Sequence, residues 1–123
     1  MVARRAADRF ATPERPRFVA VQSEVTAPVV RAWEVHATDT TPAEAGQTLA
    51  VGLNVPGGVG HFRVLDIIYA SSGSAVTVSE ADIAETLRTV YREKNWWISP
   101  EGAATLAAFI GAGGLGDPIV TGL

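Results

Sequence analysis

Short apolar runs alternate along this chain with amphipathic stretches of helical length, and that alternation limits the architecture more than any other feature. Phe18-Val19-Ala20-Val21-Gln22 has the character of a buried strand, and Val29, Val30 and Trp33 then share one helical face. Phe62, Leu65, Ile68 and Tyr69 recur at helical spacing before a second strand-like run, Ala75-Val76-Thr77-Val78. Ile83, Leu87 and Val90 mark another helix, Ala103, Leu106, Ala107 and Ile110 a further one, and Pro118-Ile119-Val120-Thr121 a last short strand. Strands separated by helices pair in parallel, because the helix carries the chain back to the end of the sheet from which the next strand starts. The expected fold is α/β: one unit over residues 1–123, a partial doubly wound parallel sheet with flanking helices. Three strands are few for a sheet of that kind, so the architecture reads as part of a larger one.

Local signals place the boundaries. Arg4 to Phe10 can form a short helix, which Pro13 and Pro16 end. Thr26 is a candidate N-cap, with Pro28 near the start of the helix that follows. Thr38 to Gly46 reads as loop, Thr48 to Leu53 as a short extended segment, and Pro56-Gly57-Gly58-Val59-Gly60 as a turn; Ser71-Ser72-Gly73 stops the next helix. Ser79 is an N-cap with Asp82 three residues on, as in a capping box. Asn95-Trp96-Trp97-Ile98 reads as extended, with one tryptophan inward and the other outward. Ser99 caps the last helix with Pro100 at its first position, and Gly111, Gly113 and Gly114 end it.

Composition narrows the function classes. Hydrophobic residues make up 47% and charged residues 19%, enough apolar material for a core. The net charge is −3, and the one basic concentration, Arg4, Arg5, Arg9, Arg15 and Arg17, is interrupted by Asp8 and Glu14. That pattern fits a solvated helix face better than a leader peptide and leaves no broad basic surface for nucleic acid. There is no cysteine, hence no disulfide and no thiolate chemistry. His36 and His61 lack partners at metal spacing, so no metal site is expected. No apolar run approaches the ~18–20 residues that span a bilayer. A cytoplasmic chain without membrane partners is expected.

Five segments, read in order, resemble threonine synthase: Pro16-Arg17-Phe18-Val19-Ala20-Val21-Gln22, Ala27 to Ala32, Gly52-Leu53-Asn54-Val55-Pro56, Ser72 to Ser79 and Pro100-Glu101-Gly102-Ala103-Ala104-Thr105-Leu106-Ala107-Ala108. The match is to the later part of that enzyme's catalytic domain, which has the fold of the tryptophan synthase β-subunit. The resemblance implies pyridoxal phosphate, held as a Schiff base on a lysine and serving as an electron sink. It implies as substrate an amino acid, phosphohomoserine, converted into threonine and phosphate; related enzymes deaminate serine or threonine. The family's lysine and its phosphate-cradling loop precede the matching segments, so the chain is expected to be inactive alone. An alternative is a non-catalytic interaction module that self-associates as a homo-oligomer or pairs with a separate domain through an open sheet edge.

Residue by residue, the resemblance reaches two positions. Glu101 matches an acidic residue beside the cofactor ring that assists proton transfers; a carboxylate in a helix's first turn also satisfies free N–H groups whatever the function. Thr121 matches a Thr-Gly element whose hydroxyl meets the pyridine nitrogen, and is otherwise an ordinary strand-end threonine. Lys94, the chain's one lysine, reads as a solvated charge at a helix end. Gly57-Gly58-Val59-Gly60 could imitate a phosphate cradle, but reads first as a turn.

Overall fold

In the computed structural model of the chain, the described residues are 16–111 and, as backbone, 119–121. The helix expected over Arg4–Phe10 and the glycines at 113 and 114 lie outside them. Among the described residues three parallel strands form a sheet: β1 (Arg17–Ser23), β2 (Ser74–Val78) and β3 (Ile119–Thr121), in the order β2-β1-β3. Val19 pairs with Ser74 and Ser23 with Val78 on one side of β1, while Arg17 pairs with Ile119 and Val19 with Thr121 on the other. The first strand is therefore the central one.

Among the described residues four helices cover the two faces: α1 (Pro28–Glu34), α2 (His61–Ala70), α3 (Glu80–Lys94) and α4 (Pro100–Gly111). Because neighbouring residues of a strand point to opposite faces, β1 sends Ala20 to one core and Val21 to the other. Val29, Val30, Leu65, Ile68 and Ala75 build the first with Ala20, and Ala50, Val78, Ile83, Ala103 and Ala104 build the second with Val21. Thus α1 and α2, which connect β1 to β2, lie on one face, and α3 and α4, which connect β2 back past β1 to β3, lie on the other. Right-handed crossovers running in opposite directions along a sheet require this placement. The expected α/β sandwich is present.

The caps follow the sequence in two cases. Ser79 Oγ accepts the Asp82 N–H at 3.1 Å, and Ser99 Oγ accepts the Gly102 N–H at 3.0 Å. Thr26 does not cap α1. Ala27 stands at the N-cap, and the free N–H groups of Val29 and Val30 instead reach Gln22 Oε1 at 2.9 and 3.1 Å. The strand that precedes the helix supplies its cap.

Two further expectations are corrected. Thr48–Leu53 is not extended: it crosses the ends of the strands as an irregular stretch that closes in a 3-10 turn, Val51–Leu53, with only Ala50 fully buried. Nor do the tryptophans divide between core and surface. Asn95 adopts a left-handed conformation, φ 56°, which ends α3 and swings the chain outward, leaving Trp96 63% and Trp97 86% exposed. Trp97 rests on Tyr91 with ring centroids 4.6 Å apart.

Candidate functional site at the C-terminal edge of the sheet

Parallel α/β sheets bind ligands outside the carboxyl ends of their strands, where helices begin and loops cross. Here β1 ends at Ser23 and β2 at Val78, and the helix that follows β2 starts directly with Glu80. Glu80 Oε1 accepts the hydroxyl of buried Ser23 at 2.7 Å, and its Oε2 accepts the Leu49 N–H at 2.9 Å. The Thr48 side chain hydrogen-bonds the same carboxylate. Three residues on, Gly52 N–H donates to Glu101 Oε1 at 2.8 Å. Ala50, between these two bonds, is inserted into the apolar cluster of Val78, Ile83, Ala103 and Ala104. Two carboxylates in the first turns of α3 and α4 thus fasten one loop, with a methyl group seated between them.

A second set of bonds holds the loop from the other side. The Thr26 hydroxyl donates to Asn54 Oδ1 at 2.7 Å and accepts the Gly46 N–H at 2.9 Å, while Asn54 Nδ2 donates to the Gly46 carbonyl at 2.9 Å. Thr26 is 1% exposed, so this network closes the loop on a dry anchor. No buried side-chain polar atom lacks a partner among the described residues.

The electrostatics follow from these donors. Partial desolvation pushes the Glu80 carboxyl upward, but hydrogen bonds from Thr48, the Leu49 N–H and Ser23 outweigh it and leave the group below the ordinary glutamate range. Glu101 is lowered chiefly by the Gly52 N–H, then by its own N–H, with burial opposing and Ser99 adding a smaller contribution. Both groups are anionic at neutral pH.

The sequence-derived residues fall as follows. Glu101 lies in the first turn of α4 and touches Gly52, so Pro100–Ala108 and Gly52–Pro56, two of the segments that carried the resemblance, meet here. Thr121 closes β3 with its backbone opposite Val19, four positions before the end of β1; its side chain is outside the described residues. Lys94 ends α3, about 20 Å along the helix from Glu80 at 1.5 Å per residue. It borders a groove of about 740 Å³ between α3 and α4, with Val90, Trp96, Leu106 and Ile110. Gly57–Gly60 forms a turn in which the His61 ring lies over Gly58 and His61 Nδ1 meets Thr40 Oγ1 at 3.0 Å. Among the described residues no three His, Cys, Asp or Glu side chains converge as a metal site would need. Glu80 was not singled out from sequence. Its signal, an acidic residue directly after the capping serine, is that of any helix start.

An aldehyde cofactor carrying a phosphate asks for an amine and a cradle of N–H donors. The described groups gathered at the C-terminal edge are carboxylates, hydroxyls and the Asn54 amide, most already committed to one another. They suit one wall of such a site and not its anchorage.

Comparison with known proteins agrees with this geometry. The profile of the family described as "Pyridoxal-phosphate dependent enzyme" matches residues 2–122. Threonine synthase from Methanocaldococcus jannaschii is 28% identical over 94 residues, covering 76% of this chain and 23% of that protein. Threonine synthase from Methanosarcina acetivorans is 27% identical over 96 residues, 78% of this chain and 24% of that protein. The chain therefore spans about a quarter of the length of these curated relatives. Among solved structures, a threonine deaminase from T.th. superposes with a TM-score of 0.65 at 25% identity, over 84% of this chain and 36% of that one. Maize serine racemase, at 19% identity, shares the fold with a TM-score of 0.68 over 98% of this chain and 36% of its own. No described helix is long and apolar enough to cross a membrane. With a profile match over residues 2–122, nearly its whole length, the chain belongs to the pyridoxal-phosphate dependent enzyme family.

Proposed function

We propose that the chain forms one wall of the active site of a threonine-synthase-type lyase, as its C-terminal part, in an enzyme that converts phosphohomoserine into threonine and phosphate. One observation carries the reading: Gly52–Pro56 and Pro100–Ala108, far apart in sequence, are joined at the C-terminal edge of the sheet by the Gly52 to Glu101 hydrogen bond. That is the end of an α/β sheet where ligands bind. The cofactor, when bound, supplies an electron sink for a carbanion formed from the amino-acid substrate. Glu101 contributes a fixed negative charge that takes up or steers a proton at its carboxylate, and Thr121 is the residue that, by the family resemblance, would offer the cofactor ring nitrogen a neutral partner. Threonine biosynthesis in the cytoplasm belongs to the same proposal.

The chain's own lysine ends α3, away from Glu80, and the reading expects no activity from the 123 residues alone. Borohydride treatment of the purified chain with pyridoxal phosphate should leave no more label on Lys94 than on a lysine-containing control peptide. Fusing the chain behind the portion of the M. jannaschii threonine synthase that precedes the matched 94 residues tests the positive claim. Release of phosphate from phosphohomoserine is expected, with E101Q lowering kcat by roughly a hundredfold.

A second reading, a serine or threonine dehydratase, is favoured by the superposition on threonine deaminase. Ammonia release from threonine by the fusion, without phosphate release, would put that reading in its place. A fusion that takes up the cofactor yet turns over neither substrate overturns both.

A further inference from the structure

We propose that Glu80 is a positioning residue of this site: through Ser23, Thr48 and Leu49 it fixes the loop that carries Gly52 to Glu101. The inference rests on the preceding reading only for its functional consequence; the mechanical claim stands on the geometry.

The loop has little else to hold it on this side. Leu49 is 51% and Val51 74% exposed, and Gly52 has no side chain, so between Leu49 and Gly52 burial acts through Ala50, with half-buried Leu53 packing on the same cluster just beyond. A single methyl group can slide or rotate, whereas two backbone N–H groups bonded to carboxylates on either side of it set the strand direction and the register of the peptide planes. Glu80 makes the stronger mount of the two. It bridges a strand end and the loop, using Oε1 for Ser23 and Oε2 for Leu49, and its rotamer is therefore fixed from the fully buried side. Gly52 is placed within reach of Glu101 only if Leu49, three residues earlier, is already in position. The fit at Gly52 is close: a β-carbon there would stand 3.0 Å from Glu101 Oε1. Small displacements of the loop therefore change the surroundings of the Glu101 carboxylate directly.

This arrangement separates two roles that composition cannot distinguish. Both residues are glutamates in the first turn of a helix. Glu101 is the residue that the family resemblance places beside the cofactor ring, while Glu80 acts on the segment bonded to Glu101 from behind, through the loop.

Amide hydrogen exchange on the 123-residue chain tests the mechanical claim without cofactor or substrate. In E80Q the side chain keeps its length but loses its charge and one acceptor oxygen, so the Ser23 hydroxyl must turn from donor to acceptor and the Leu49 N–H loses a charge-assisted partner. Exchange of the Leu49 and Gly52 amides should quicken about tenfold or more, while amides of β1 and α3 keep their protection. E101Q should quicken Gly52 alone, leaving Leu49 within about threefold of the parent chain. E80D, which retains two acceptor oxygens, should restore part of the protection at both. If E80Q loosens Leu49 and leaves Gly52 as protected as before, the loop is not positioned through Glu80 and the proposal fails. Should E80Q not fold, S23A removes the strand-side donor while leaving the loop untouched, and the same two amides must respond. In the fusion enzyme, E80Q should lower kcat/KM by roughly ten- to a hundredfold, with E80D recovering part of the loss. An inactive parent fusion would count against the lyase reading and leave the exchange result to decide the role of Glu80.

Discussion

Gly73 lies so close to the backbone of Phe18 that no β-carbon fits between it and the Phe18 carbonyl oxygen. The contact occurs where α2 hands over to β2, one residue before the ladder with β1 begins at the Val19 and Ser74 pair. Backbone on both sides leaves nothing to rotate away, so Gly73→Ala should force the two strands apart. A loss of about 3 kcal/mol in urea unfolding is expected, with the midpoint moving and the slope unchanged.

Ser72, immediately before it, has φ 56° and is exposed. It occupies the position after α2 where the Ser72 N–H returns to the Tyr69 carbonyl and the Gly73 N–H to that of Ile68, a closing pattern that glycine adopts without steric cost. Ser72→Gly should raise stability by about 0.5–1 kcal/mol. Thermal unfolding would show it as a rise of a few degrees, and a fall in Tm would contradict the assignment.

Gln22 Oε1 takes two N–H groups of the first turn of α1. Gln22→Leu removes the acceptor and should cost about 1–2 kcal/mol. Gln22→Glu keeps the acceptor and adds a negative charge at a helix start, so its stability should equal or exceed that of the parent at neutral pH. Chemical denaturation of the pair distinguishes a lost cap from lost packing.

Glu80 and Glu101 both titrate below the ordinary glutamate range in the folded chain. A carboxyl that ionises more readily folded than unfolded contributes stability that is complete above its unfolded pKa, about 4.3, and is lost as pH falls through the folded value. The unfolding midpoint should therefore change little between about pH 6 and 8 on account of these groups and drop below about pH 4.5. E80Q/E101Q should be less stable at neutral pH and have a shallower acid limb; equal slopes would show that other carboxylates govern it.

Periodic and local features of the fold were legible in the sequence. Apolar runs located the three described strands, and a serine just before each apolar-periodic run identified the starts of α3 and α4. What escaped was set by contacts distant in sequence. Thr26 has the chemistry of a cap, yet its hydroxyl is used by Gly46 and Asn54 on a loop that comes later. Thr48–Leu53 has strand-like composition, but it pairs with none of the described strands, and it meets the core through the buried Ala50 methyl and half-buried Leu53. The tryptophans were misassigned because a left-handed Asn95 breaks the alternation on which an in-and-out reading depends. At the site, Glu101 was reachable through the resemblance. Glu80 was not, since its partners Ser23 and Leu49 become neighbours only after the sheet has formed.

The central place of β1 has a consequence for how the chain is made. It is synthesised before β2 and β3, yet each of its ladders is completed by residues that leave the ribosome much later, Ser74–Val78 on one side and Ile119–Thr121 on the other. Until then neither of these ladders can form, and an apolar run without its native partners is open to any strand that diffuses past. Sequence-distant pairings of this kind slow folding, so the hazard to a nascent molecule is greatest in the interval before α2 and β2 arrive to cover one face and one edge.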